Sequence, residues 1–297
     1  MNRPDRSGAG GADAATAANS TSAANSTSAA NGISAANSIS AANSISAAIR
    51  KAASNGEPAL VGFLTAGFPS RERFREHLTA IAAGADVVEI GVPFTDPMAD
   101  GVTIQRSSHA ALAQGVSLRW ILSELEAMPR LSTPLLLMSY LNPLLSFGYD
   151  RLAATAARAG IAGFIVPDLP FDESSDLRAS LDSHKLALVQ MVTPVTQPER
   201  MKKVCESSQG FVYAVTMTGT TGKNVAVPAE VMSYLDGVRR VSPVPVCAGF
   251  GIRGREQVER LRGHVDGVVI GSALVEVLER GEDPTRWLRA LRGSRAT

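Results

Sequence analysis

The chain has 297 residues, of which 45% are hydrophobic and 19% are charged, and its formal net charge at pH 7 is +1. This composition is typical of a globular protein with a full apolar core, and the near-zero charge argues against a nucleic-acid-binding surface, which needs a basic excess. The two cysteines, Cys205 and Cys247, form neither a metal-binding motif nor a disulfide framework, so the protein is expected in the reducing cytoplasm. No metal site and no membrane span are expected, because the histidines lack metal-ligand spacing and the apolar runs are short.

The first part of the chain is a low-complexity repeat. From Ala17 to Ser46, a hexapeptide of the form A-A-N-x-x-S occurs five times in succession. Thirty residues are too few to stack the coils of a β-helix, so a disordered tail is expected over residues 1–45 and a catalytic domain over residues 46–297. The last repeat is expected to run into a short helix that ends near Ala53.

Beyond the tail, short apolar runs alternate with amphipathic stretches. Runs that predict strands begin at Ala59, Ala85, Pro134, Gly163, Ala187, Phe211, Val244 and Gly267. Helical stretches follow most of them, over residues 71–83, 149–159, 172–182 and 256–261 among others. The strand runs are apolar throughout, which indicates burial on both faces and a parallel sheet. The even repetition predicts an α/β fold of the (β/α)8 TIM-barrel type, in preference to a doubly wound open sheet.

Three carboxylates fall on one predicted strand and its loop, in the run VVEIGVPFTDPMADG from Val87 to Gly101. Active sites of barrels lie at the C-terminal ends of the strands. Glu89 lies between two apolar residues, where burial raises the pKa of a carboxyl and suits it to acid–base catalysis; a structural glutamate paired with a cation is the alternative. A helix cap is the alternative for Asp100, and a turn is the alternative for Asp96.

Glycine-rich segments follow the last three predicted strands, at Thr218–Gly222, Gly249–Ile252 and Ile270–Ala273. Glycine lets backbone N–H groups approach an anion closely, and a helix N-terminus adds a partial positive charge. Loops after the seventh and eighth strands of barrels frequently bind phosphate. The segments therefore predict a phosphate-bearing substrate, with simple turns as the alternative.

Aromatic residues are predicted near the same ends of the strands. Tyr140 follows the third strand, Tyr213 lies within the sixth, and Phe250 follows the seventh. Such rings suit a planar substrate, although core packing explains each of them equally well. Asn142-Pro143 is expected to form a turn.

Together these segments resemble the alpha subunit family of tryptophan synthase. The run from Val88 to Gly101 matches the family signature along its whole length, and shorter matches lie at Ile104–Arg106, Ser139–Pro143, Val166–Pro170, Gly219–Gly222, Gly249–Ile252 and Gly271–Ala273. The resemblance extends from about Ser46 to the C-terminus. It implies a lyase of L-tryptophan biosynthesis that cleaves indole-3-glycerol phosphate to indole and glyceraldehyde 3-phosphate without a cofactor.

The resemblance also implies roles for individual residues. Glu89 is expected to be the acid–base group, and Asp100 is expected to accept a hydrogen bond from the indole N–H. Asp96 is expected to support loop closure and coupling to a partner. The residues expected to bind the substrate are Tyr140, Tyr213, Thr221, Gly222, Phe250, Gly251, Gly271 and Ser272.

The family works with a partner. Its indole passes to a beta subunit, which holds pyridoxal phosphate (PLP), within an αββα tetramer. Val102, where the family usually has proline, and the exit of the sixth strand at residues 216–222 depart from the family pattern at loops that contact this partner. Two alternatives therefore stay open: a free-standing lyase that releases indole, and a non-catalytic barrel that activates a beta-type partner.

Overall fold

A computed structural model describes residues 41–216, 228–249 and 251–292. Within these residues, eight parallel strands pair in chain order, and the first strand pairs with the eighth. The strands are β1 (Ala59–Thr65), β2 (Val87–Gly91), β3 (Leu135–Met138), β4 (Ile161–Ile165), β5 (Ala187–Val192), β6 (Val212–Val215), β7 (Val246–Gly249) and β8 (Gly267–Ile270). Every predicted strand is confirmed, and the closed barrel excludes an open doubly wound sheet.

Helices connect the strands and cover the outside of the barrel. They are α1 (Ala41–Ala53), α2 (Phe74–Ala82), α3 (Val102–Ala113), α4 (Leu118–Glu126), α5 (Leu141–Phe147), α6 (Tyr149–Ala159), α7 (Ser175–Ser183), α8 (Pro198–Ser207), α9 (Ala229–Val241), α10 (Arg255–Leu261), α11 (Ser272–Glu279) and α12 (Pro284–Leu291), with a 3-10 helix at Phe171–Glu173. Two helices, rather than one, separate β2 from β3 and β3 from β4. Among the described helices, none is long and apolar enough to cross a membrane.

The turn predicted at Asn142-Pro143 is wrong, because both residues lie inside α5. Pro143 is the third residue of this helix, and the first N–H groups of a helix have no intrahelical acceptor, so a proline loses nothing there. The turn comes instead at Gly148, which has a φ of +86° and separates α5 from α6. Glycine adopts this backbone conformation without the steric cost that a side chain would bring.

Side chains of each strand alternate between an outer layer under the helices and an inner layer inside the barrel. The lower part of the inner layer is apolar and includes Val61, Val87 and Phe211. α1 packs against this layer where the strands begin, and Ile45 and Ile49 are fully buried there. The barrel is thus filled from below by hydrophobic side chains, which leaves its polar groups at the opposite end.

Candidate active site

Glu89 lies in the middle of β2, beside Phe63 of β1 and Leu136 of β3. Alternation along the strand places it on the same inner face as Val87. Its side chain is 1% exposed, and its Oε2 atom has no hydrogen-bond partner among the described residues. Burial, reinforced by the negative charge of Asp100, raises the pKa of Glu89 from 4.5 to about 8. The carboxyl group is therefore mainly protonated at neutral pH.

Asp100 ends the loop that follows β2, and a tyrosine holds its carboxylate. The hydroxyl of Tyr140 donates to Asp100 Oδ2 at 3.0 Å and accepts a hydrogen bond from the Ala99 N–H at 2.9 Å. Phe94 stacks on the Tyr140 ring, with 5.0 Å between ring centroids. Burial raises the pKa of Asp100, and the hydrogen bond from Tyr140 opposes that rise. Gly101, not Asp100, precedes the first turn of α3, so the capping alternative for Asp100 is wrong.

Tyr213 lies on the inner face of β6, beside Met191 of β5, and is partly buried. Burial is the main cause of its raised pKa, and the charges of Glu89 and Asp100 raise that pKa further. Its ring depends on the glycine beside it, because a Cβ atom at Gly249 would stand 2.5 Å from Tyr213 Cε1. Glycine is therefore required at position 249 because any side chain there would collide with the Tyr213 ring, a reason that the glycine-rich motif alone did not indicate.

A cavity of about 620 Å³ opens at this end of the barrel. Asp100, Tyr213 and Gly249 line it, together with Met138 and Met191 from the inner faces of β3 and β5. Its volume lies within the usual range for small-molecule sites. Sequence reasoning missed the two methionines, whose positions on the inner face follow only from the strand register.

Glycines stand in the loops after β7 and β8. Gly251 has a φ of +51°, and Gly271 precedes Ser272, the first residue of α11. Among the described residues, no side chain caps the N-terminus of this helix, and apart from chain neighbours none has an atom within 4 Å of where a Cβ would stand at Gly251 or Gly271. Backbone N–H groups at an uncapped helix N-terminus are suited to binding an anion.

The remaining predicted residues divide into two groups. Asp96 lies on the exposed part of the β2–α3 loop, where its Oδ2 atom accepts a hydrogen bond from the Thr95 hydroxyl at 2.6 Å. Thr221, Gly222 and Phe250 lie outside the described residues. Among the described residues, no group of three or more potential metal-ligating side chains comes together.

One acidic residue for which the sequence predicted no role borders the same site. Asp168, which lies in the V-P-D-L-P segment after β4, lines the cavity and accepts a hydrogen bond from the Leu141 N–H at 2.8 Å. The feature of the sequence that could have indicated a role for Asp168 was its position just after a predicted strand. Its contact with the residue after Tyr140 joins parts of the chain 27 positions apart, and no local pattern indicates it.

Comparison with known proteins gives a consistent result. The family model of the tryptophan synthase alpha chain matches residues 49–293. The tryptophan synthase alpha chain of Nitratidesulfovibrio vulgaris strain Hildenborough is 46% identical over 244 residues, which cover 82% of this chain and 95% of that protein. That of Solidesulfovibrio magneticus is 44% identical over 247 residues, covering 82% and 96%.

Solved structures of similar proteins agree with the barrel. A chain of Mycobacterium tuberculosis tryptophan synthase in space group F222 superposes with a TM-score of 0.77 at 36% identity, covering 83% of this chain and 95% of that one. The tryptophan synthase subunit alpha of Legionella pneumophila strain Paris gives a TM-score of 0.74 at 31% identity, with coverages of 84% and 95%.

Proposed function

The chain belongs to the tryptophan synthase alpha chain family, and on this premise we propose how its residues carry out the reaction. As the alpha subunit in tryptophan biosynthesis, it is a lyase that cleaves indole-3-glycerol phosphate to indole and glyceraldehyde 3-phosphate. The reaction needs no cofactor, and PLP belongs to the beta subunit with which the alpha chain pairs. We place the protein in the cytoplasm, within an αββα tetramer.

Glu89 is the acid–base group of the proposed mechanism. Its protonated carboxyl delivers a proton to carbon 3 of the indole, which turns the ring into an electron sink. The resulting carboxylate takes the proton of the adjacent glycerol hydroxyl as the carbon–carbon bond breaks. The bonding electrons return to the ring to give indole, and the other fragment leaves as an aldehyde. The observation that carries this proposal is a buried carboxyl on the inner face of the barrel whose Oε2 atom has no hydrogen-bond partner among the described residues; this burial raises its pKa to about 8.

Asp100 is the electrostatic partner in this mechanism. Once carbon 3 is protonated, positive charge develops on the indole nitrogen, and a carboxylate near the N–H group stabilises that charge. Asp100 lines the cavity, and the hydrogen bond from Tyr140 engages only its Oδ2 atom. Among the described residues, none donates to Oδ1, which is left for the substrate.

The other end of the substrate is assigned to the glycine-rich loops. Backbone groups of Gly251, Gly271 and Ser272 bind the phosphate, supported by the uncapped N-terminus of α11. Tyr140 and Tyr213 form walls of the indole pocket. By resemblance, Thr221, Gly222 and Phe250 complete the site, and Asp96 supports closure of the loop over the substrate.

Replacing the two acids tests the mechanism. Glu89→Gln keeps the size of the side chain and removes its transferable proton, so kcat for indole release should fall by about 10²–10⁴-fold, the usual contribution of general acid–base catalysis. Asp100→Asn should lower kcat by about 10²-fold or more, because it removes the charge that faces the ring. The assay measures indole released from indole-3-glycerol phosphate by the purified chain.

Glu126→Gln is the matched control. Glu126 lies on the outside of the barrel, where it pairs with Arg158 at 2.9 Å, so its replacement should leave kcat unchanged. Circular dichroism should show the same fold for all three variants. Normal cleavage by a folded Glu89→Gln variant would contradict the acid–base role.

A further inference from the structure

Asp168 binds the backbone at the start of α5. Its Oδ1 atom accepts the N–H of Leu141, the first residue of this helix, at 2.8 Å. Tyr140, the residue before it, is the N-cap and supplies no side-chain cap of its own. A carboxylate from the end of β4 therefore fixes the exact stretch of backbone from which Tyr140 projects.

The other end of Tyr140 reaches the catalytic loop. Its hydroxyl joins two neighbouring groups, the Asp100 carboxylate and the Ala99 N–H, through hydrogen bonds of 3.0 Å and 2.9 Å. The ring itself is 4% exposed and is held by stacking on Phe94. A displacement of the Tyr140 backbone would thus be transmitted by a buried, rigid ring to the Asp100 carboxylate.

We propose that Asp168 is a positioning residue for the cleavage reaction, which sets the place of the Asp100 carboxylate by holding the backbone of Tyr140. The inference rests on the proposed role of Asp100. Its physical basis is that catalysis depends steeply on geometry, since a displacement of about 1 Å can cost about 10²-fold in rate. Hydrogen bonds to a charged acceptor are stronger than neutral ones, and an exposed carboxylate at a helix N-terminus also interacts favourably with the helix dipole.

The charge of Asp168 has a second effect on the same ring. Burial is the main cause of the raised pKa of Tyr140, and the negative charges of Asp100 and Asp168 add to it. The Tyr140 hydroxyl is a hydrogen-bond donor at neutral pH even at the ordinary pKa of a phenol, so the positioning role of Asp168 rests on its hydrogen bond to the Leu141 N–H.

A double-mutant cycle tests whether Asp168 acts through Tyr140 or touches the substrate, since it also lines the cavity. Asp168→Ala and Tyr140→Phe should each lower kcat for indole release by about 10-fold or more, with KM changed by less than about threefold. The double variant should be no slower than the slower single variant, because the two residues act in one chain of contacts. Losses that multiply in the double variant would overturn the proposal.

Two further variants separate positioning from general stabilisation. Asp168→Asn keeps an oxygen that can accept the Leu141 N–H, so it should recover most of the activity lost in Asp168→Ala. Asp150→Asn is the control: Asp150 is exposed on α6, outside the barrel, where it accepts a hydrogen bond from the Ser180 hydroxyl at 2.7 Å, and its replacement should leave kcat unchanged. An Asp168→Asn variant as slow as Asp168→Ala would overturn the backbone-holding role.

Amide hydrogen exchange gives a readout that is independent of catalysis. The Ala99 N–H is protected by its hydrogen bond to the Tyr140 hydroxyl, so Asp168→Ala should accelerate its exchange by about 10-fold, whereas Asp150→Asn should not. Unchanged exchange at Ala99 in Asp168→Ala would overturn the positioning of Tyr140. Faster exchange with undiminished cleavage would overturn the positioning role of Asp168 in catalysis, whereas the role of Asp100 itself is tested separately by Asp100→Asn.

Discussion

Glu89 is a polar exception within an otherwise apolar layer. Its neighbours on the inner face, such as Val61, Val87 and Leu136, are fully buried hydrophobic residues. A carboxyl group in such surroundings costs stability unless it is protonated or paired, and its Oε2 atom has no hydrogen-bond partner among the described residues. Keeping a carboxyl in this place costs folding free energy, as residues of functional sites commonly do, and this cost supports the proposed acid–base role of Glu89.

This cost predicts a pH dependence of stability. The pKa of Glu89 is about 8 in the folded protein against an ordinary value of 4.5, so its protonated form stabilises the fold fully below pH 4.5, and this stabilisation is lost as the pH rises through 8. One pKa unit corresponds to about 1.4 kcal/mol, so wild type should lose about 4 kcal/mol of unfolding free energy relative to Glu89→Gln between pH 4.5 and pH 9. Urea denaturation at pH 5, 7 and 9 measures this difference.

Glu126→Gln again supplies the comparison, since Glu126 is an exposed residue of α4. Its unfolding free energy should run parallel to that of wild type over the same pH range. A gap between wild type and Glu89→Gln that does not widen with pH would show that the carboxyl group is not desolvated in the folded protein.

The start of α3 explains how the catalytic loop tolerates a departure from the family pattern. Gly101 is extended, with φ −74° and ψ 164°, and Val102 is the first residue of the helix and is 80% exposed. Proline is favoured at this first position, because its fixed φ suits the helix and its missing N–H has no intrahelical acceptor. Valine therefore replaces the family's proline without breaking the helix, but the unfolded chain has more conformational entropy with valine than with proline, which lowers stability.

Val102→Pro should raise the free energy of unfolding by about 0.4–1 kcal/mol, because it reduces the entropy of the unfolded chain while the extended Gly101 accommodates a following proline. Val102→Ala, which lacks the ring constraint at the same exposed position, should change stability by less than about 0.5 kcal/mol. Chemical denaturation compares the two variants. A destabilised Val102→Pro would mean that the N–H of Val102 has a partner in solution.

The last hexapeptide repeat forms the start of α1, and its Ile45 side chain belongs to the apolar core of the barrel. This helix begins at Ala41, so Ile45, which the predicted boundary assigned to the tail, is fully buried among the inner residues. The hydroxyl of Ser46 donates to the Gly210 carbonyl at 2.5 Å, just before β6. The final A-A-N-S-I-S unit thus closes the barrel where the strands begin.

Truncation separates the repeat from the helix. Deleting the residues before Ser40 should leave the melting temperature nearly unchanged, because a polar repeat buries little apolar area. Ile49→Ala should cost about 2–5 kcal/mol, the usual loss for a large aliphatic side chain in a core, whereas Lys51→Ala on the exposed side of α1 should cost little. Thermal unfolding of these three proteins gives the comparison. A large drop on deleting the repeat would contradict the tail assignment.

At the scale of the whole molecule, two large apolar side chains beside Asp100 are exposed. Met98 and Val102 lie two residues before and two residues after Asp100, and they are 83% and 80% exposed. Exposed apolar surface is a feature of protein–protein contact sites. We therefore expect the beta subunit to dock beside the loop that carries Asp100 and to order that loop.

Adding a beta subunit should therefore raise kcat for indole release by about 10–100-fold, because ordering the loop improves the geometry of Asp100. Steady-state assays of the isolated chain and of the reconstituted complex measure the change. High turnover by the isolated chain, with no response to the partner, would instead support the free-standing lyase. Absence of cleavage under both conditions would support the non-catalytic barrel.

Sequence alone determined the eight strands and the barrel, and it predicted the two acids of the candidate site. Strand periodicity and burial on both faces are local properties, and the run from Val88 to Gly101 keeps Glu89 and Asp100 on one strand and its loop. The pKa of Glu89 was predicted in direction for the same reason, because its apolar flanking residues already indicated a desolvated carboxyl.

Only the tertiary structure decided how those acids are held. Asp100, Tyr140 and Asp168 follow three different strands, and they meet because barrel closure brings the ends of β2, β3 and β4 together. Two predictions from local pattern were wrong. Asn142-Pro143 was predicted to be a turn, but it lies in the first turn of α5. Ile45 was assigned to the tail because its hexapeptide is identical to the one before it, but its side chain is buried in the core. For the acids and for Ile45 the deciding term is a contact between residues distant in sequence, whose free energy no local window contains, whereas α5 tolerates Pro143 because the first turn of a helix needs no N–H group there.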